Sequence, residues 1–124
     1  CRWYLRDWAR SSGIRALGRF SLIRPEPHDD LRTDSFRILQ ELLTNVARHA
    51  RAGTVRVSLT RKDRALHLRV ADDGCGFDPG ARTTGFGLAG IRERAARHGG
   101  RVDIASGAAG TTVAVILPAA HARG

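Results

Sequence analysis

The chain has 124 residues, 42% hydrophobic and 27% charged, with 21 Lys plus Arg against 12 Asp plus Glu for a net charge of +9. That length suffices for one compact domain and not two, and the composition excludes both a disordered chain and one built on membrane-spanning helices, since no apolar run approaches the roughly 18 residues a span needs. Lys62 is the one lysine among the 21 basic residues, so the charge reads as an arginine-rich compositional habit, and nucleic acid is not an expected partner.

The two cysteines, Cys1 and Cys75, form neither a disulfide framework nor a CxxC metal pair. A cytoplasmic setting is therefore expected, which leaves open a membrane anchor elsewhere in the full-length protein. The chain has no Met and opens on Cys1, which predicts a single domain, 1–124 with a tail at 119–124, taken from a longer protein.

Residues 3–12, WYLRDWARSS, set Trp3, Leu5, Trp8 and Ala9 among charged positions and predict a short amphipathic helix ended by Gly13. In IRALGRFSLI, 14–23, Ile14, Ala16, Gly18, Phe20 and Leu22 share one side and predict a strand, and Pro25 with Pro27 makes the next stretch a loop. Thr33 and Asp34 are both competent N-caps for a long helix beginning near Ser35, along which Phe36, Leu39, Leu43, Val46, Ala47 and Ala50 recur at helical spacing. After Gly53 the period becomes two: Val55, Val57 and Leu59, then Leu66, Leu68 and Val70, predict a hairpin joined by RKDR at 61–64. A glycine-rich stretch covers 73–87, Leu88 to His98 is again helical, and Val102 and Ile104 with Val113, Val115 and Leu117 predict a last strand pair. The expected fold class is α/β: a two-layer α/β sandwich, a mixed sheet of about five strands with three helices on one face.

On the long helix, Glu41 and Asn45 lie one turn apart and His49 one turn further on, so the three form a polar stripe. A carboxylate and an amide oxygen at that spacing suit Mg²⁺, which binds oxygen donors together with substrate phosphates; a solvated helix face presents the same pair. In VADDGCGF, 70–77, a strand runs into two carboxylates and two glycines. Gly74 and Gly76 let a flat ligand approach the backbone, and a strand-end carboxylate accepts a hydrogen bond from an exocyclic amine, although an ordinary Asp-Gly turn fits the same letters. TGFGL, 84–88, opens a helix whose unpaired N–H groups and dipole suit a phosphate chain, while neither GK[ST] nor GxGxxG is present.

Taken in order, ELLTNVARHA, VADDGCGF, TGFGLAGIRERA and GAAGTTVAVILP resemble the N box, the DxGxG adenine box, the GxGL box and the closing GT segment of the GHKL ATPases. That superfamily comprises sensor histidine kinases, gyrase-type topoisomerases, Hsp90-type chaperones and MutL-type repair proteins. The resemblance runs from about residue 3 to 118. Within it, RHA at 48–50, the short stretch between the glycine boxes and the GLAGIRERA helix resemble kinases that pair with NarL-type response regulators.

The resemblance implies a Bergerat-type domain that binds ATP with Mg²⁺. It further implies transfer of the γ-phosphate to a histidine on the dimerisation domain of the same, homodimeric kinase, for relay to a NarL-type response regulator. Position by position, it implies that Asn45 coordinates Mg²⁺ at the phosphates, that Glu41 polarises the nucleophile or a metal-bound water, and that Arg48 and His49 lie near the phosphates. Asp72 would accept a hydrogen bond from adenine's amino group, with Gly74 and Gly76 giving the base room. Gly85 and Gly87 would line the phosphates, with Phe86 and Leu88 in the same box, under a short lid at about 78–84. Thr111 would contact the adenine edge, and Cys75, at a variable position of the adenine box, reads either as a buried, inert thiol or as an oxidisable thiol beside the base. None of His28, His67 and His121 is a credible phosphoacceptor, so the chain is expected to bind ATP without phosphorylating itself. The alternatives are an anti-sigma-factor-type serine kinase with the same nucleotide site and a non-catalytic ATP-sensing module.

Overall fold

The computed structural model describes residues 2–20, 29–62, 64–74 and 88–118. Helix α1 spans Arg2–Ser12 and is closed by Gly13, whose N–H donates to the Ala9 carbonyl at 3.0 Å from a left-handed conformation of φ +76°. Strand β1, Arg15–Phe20, follows directly; the remainder of the strand expected to reach residue 23 lies outside the described residues. Leu5 of α1 is buried, and the Tyr4 ring meets Phe36 edge-on at 5.2 Å, fastening α1 to the next helix.

Helix α2, Asp29–Asn45, begins six residues before the expected start near Ser35. The extra turns are held by Leu31, only 2% exposed within the core. Thr33 and Asp34 therefore lie inside the helix and cap nothing, and the Asp34 carboxylate points instead at His98. At its other end α2 passes into a π-helical turn, Val46–Ala50, stopped by Arg51 in the left-handed region at φ 52°. A 3.6-residue period does not distinguish one widened turn from α-helix; Val46 remains in the core whereas Ala47 is exposed.

Strands β2, Thr54–Lys62, and β3, Ala65–Asp72, form a hairpin in which Lys62 pairs with Ala65. Arg61 and Lys62, expected in a four-residue loop, thus extend β2, and Arg64 at φ 62° takes the left-handed conformation that such short turns require. Helix α3 is Leu88–Arg97, and β4, Arg101–Gly107, pairs with β5, Gly110–Pro118. The sheet order is β1-β2-β3-β5-β4, with β1 parallel to β2 and every other pair antiparallel. Alternate residues of β2, β3 and β5, among them Val57, Leu68 and Val115, face one core with Ile38, Leu43 and Ile91 of the helices. The fold is the expected two-layer α/β sandwich, with three helices on one face of a mixed five-stranded sheet. Among the described residues no helix is long and apolar enough to cross a membrane.

Candidate functional site

Packing directions bring the separated motifs to one end of the sandwich. Near the start of α2, Asp34 Oδ2 lies 2.8 Å from His98 Nε2, just past the end of α3, so the two helices run in opposite senses. From that tether α2 climbs about 16 Å to Asn45 and α3 about 15 Å back to Leu88. Gly100, beyond the C-terminus of α3, is pressed against Ile116 and Leu117, at the end of β5 remote from Thr111. Leu88 therefore lies toward the other end, where β3 finishes at Asp72 opposite Thr111.

At that end one transverse row of the sheet, Val55, Asp72, Thr111 and Ser106, faces the helices. Asp72 Oδ1 accepts the Gly74 N–H at 2.8 Å, and the Thr111 backbone also donates to this carboxyl. Burial nevertheless pushes the Asp72 carboxyl above its ordinary value of 3.8: desolvation outweighs these two bonds, and the neighbouring Asp73 charge adds to the rise. Thr111 is buried, its hydroxyl 2.7 Å from Ser106 Oγ. Gly110, at φ +132°, leans directly on the backbone of Asp72 and Asp73, where any Cβ would collide with the Asp72 carbonyl. The result is a half-buried carboxylate, preorganised by backbone donors, with lone pairs left for a further donor.

Asp73, the next residue, does something different. Its Oδ1 accepts the N–H groups of Gly53 at 2.8 Å and Thr54 at 3.0 Å, and these bonds hold its carboxyl below the ordinary value. Asp73 thereby ties the connection after the π-helical turn to the end of β3. The Asp-Asp sequence displayed both carboxylates, but the partner of the second, twenty residues upstream, left no periodic signal. Ser106, opposite Thr111, and Asp34 with His98 were missed for the same reason.

Glu41 and Asn45 are both partly buried, on one side of the last turns of α2, with the Asn45 side-chain carbonyl oxygen buried. One carboxylate and one amide oxygen form a hard donor set that fits Mg²⁺ sharing its remaining sites with water and phosphate. Among the described residues no cluster of three or more His, Cys, Asp or Glu could hold a metal unaided. Arg48 is exposed in the π-helical turn, which also contains the backbone of His49. Leu88 is buried as the first residue of α3. Gly76, Gly85, Phe86, Gly87, Cys75 and the expected lid lie outside the described residues.

A family model described as histidine kinase-, DNA gyrase B- and HSP90-like ATPase matches residues 31–121. Over 87 residues the chain is 44% identical to the signal transduction histidine-protein kinase/phosphatase UhpB of Salmonella typhimurium, covering 70% of this chain and 17% of that protein. It is 40% identical over 85 residues to the sensor histidine kinase LiaS of Bacillus subtilis, covering 67% and 24%. The fold matches the histidine kinase domain of a blue-light activated histidine kinase from Erythrobacter litoralis with a TM-score of 0.78 at 19% identity, over 93% of this chain and 57% of that one. The chain thus spans less than a quarter of the length of either curated relative.

Proposed function

The chain belongs to the histidine kinase-, DNA gyrase B- and HSP90-like ATPase family, and on that premise we propose that it is the ATP-binding catalytic domain of a cytoplasmic sensor histidine kinase module. In this reading it presents the γ-phosphate of ATP to a histidine on the dimerisation domain of a homodimeric kinase, for relay to a NarL-type response regulator. What supports it is an Asp72 carboxylate held by Gly74 and Thr111, at the end of the sheet where Asp73 ties down the connection that follows the Glu41 and Asn45 helix.

Phosphoryl transfer asks a protein mainly for positioning and charge neutralisation. Asp72 takes the adenine amino group, a donor that guanine lacks at that position, while Gly74 and Gly76 admit the flat base and Thr111 borders its edge. Asn45 and Glu41 would hold Mg²⁺, which supplies neutralisation of phosphate charge when bound. Glu41 would also polarise the incoming nucleophile; Arg48 and His49 would lie near the phosphates, and Gly85 and Gly87, with Phe86 and Leu88 of the same box, would line them, where the N-terminal dipole of α3 favours the anion. The 40–44% identity to two histidine kinases supports this assignment over a serine kinase or a passive nucleotide sensor.

Asn45→Asp tests the reading in a kinase that retains its dimerisation domain. Phosphohistidine formation is expected to fall at least about tenfold, with a smaller loss of ATP-analogue affinity; an undiminished rate would remove Asn45 from the machinery. The 124-residue chain alone is expected to bind ATP and form no acid-labile phosphohistidine.

A further inference from the structure

The helix-free face of the sheet carries a second concentration of chemistry. On β1, β2 and β3 the register sets Arg19, Ser58 and Arg69 in one row and Leu17, Arg56 and Ala71 in the next. These residues line a depression of about 410 Å³. Ala71 precedes Asp72 on β3, so this face points away from the Asp72 carboxylate.

Arg19, Arg56 and Arg69 are all exposed, and none has an ion-pair partner among the described residues. By sheet geometry their Cα atoms stand roughly 8–10 Å apart, within reach of one shared anion. Ser58 and Ala71 between them are small, leaving a low floor under three guanidinium forks suited to bidentate contact with oxyanions. Unneutralised like charges on adjacent strands are unfavourable, and an anion reverses the sign.

Size decides which anion. The depression falls within the volume range of small-molecule sites. We propose that the Arg19, Arg56 and Arg69 triad is a binding site for a small molecule bearing two or more linked phosphate groups, separate from the nucleotide site on the other face.

The test titrates the isotope-labelled chain with inorganic tripolyphosphate and follows backbone amide shifts by NMR. Saturable shifts are expected at residues 17–19, 56–58 and 69–71, retained in Asp72→Asn and weakened at least tenfold in Arg56→Ala/Arg69→Ala. Ser58→Glu, which sets a carboxylate amid the triad on an exposed strand face, is expected to abolish them. Repeating the titration with a nucleoside triphosphate in Asp72→Asn identifies the source: equal affinity assigns the phosphate chain alone, and tighter binding a nucleotide. Shifts confined to residues 72–74, non-saturating shifts at arginines generally, unchanged affinity in the double variant, or tighter binding of hexaglutamate than of tripolyphosphate would overturn the proposal.

Discussion

At the residue scale, the adjacent carboxylates Asp72 and Asp73 have opposite relations to pH. Asp73 ionises more readily folded than unfolded because Gly53 and Thr54 donate to it, so its stabilising contribution is present above 3.8 and lost as pH falls through its depressed folded value. Asp72 is raised by burial, so its ionisation reduces stability as pH rises through the interval above 3.8. Asp73→Asn is accordingly expected to lower the thermal midpoint at neutral pH, with the gap to the native chain closing as pH falls below 3.8; circular dichroism melts that show a constant gap would refute the charge-assisted clamp. Gly110 offers a steric counterpart. Its φ of +132° and its contact with the Asp72 carbonyl predict that Gly110→Ala costs at least about 2 kcal/mol in denaturant unfolding.

At the element scale, α2 and α3 are aligned by the Asp34–His98 contact, and this alignment is what brings Asn45 and Leu88 to the same end. Asp34 is 8% exposed, so Asp34→Ala is expected to cost about 1–3 kcal/mol by removing the acceptor and leaving the His98 nitrogen partly buried. Arg97 lies 3.6 Å from the same carboxylate but is 59% exposed, and Arg97→Ala should cost under about 1 kcal/mol; equal losses in urea unfolding would contradict the hierarchy. The elements themselves were largely legible, because Val55, Val57, Leu66, Leu68 and Val70 alternate and Leu39, Leu43 and Val46 repeat at helical spacing. Their ends were not. Asp34 has the chemistry of a cap but is used by a tertiary contact, Leu31 extends α2 by burial, and a left-handed Arg64 shortens a turn that RKDR suggested was longer. Long-range packing and backbone conformation set these boundaries, and neither leaves a local period.

At the scale of the whole molecule, one sheet has two chemically distinct faces. The helix side buries the core and ends in the Asp72, Thr111 and Ser106 row, while the open side carries the arginine triad, giving part of the +9 charge a definite place. The helical and alternating runs were enough to anticipate the sandwich and to set Glu41 and Asn45 on a helix and Asp72 at a strand end. Gathering them was the work of topology: β5 inserts between β3 and β4, placing Thr111 beside Asp72 although the two are 39 residues apart in sequence. The most direct test of a nucleotide site built on Asp72 is calorimetric titration of the chain and of Asp72→Asn with non-hydrolysable ATP and GTP analogues. The native chain is expected to prefer the adenine nucleotide at least about tenfold and the variant to lose that binding, whereas an Asp72→Asn chain that binds the ATP analogue as tightly as the native one would contradict the account.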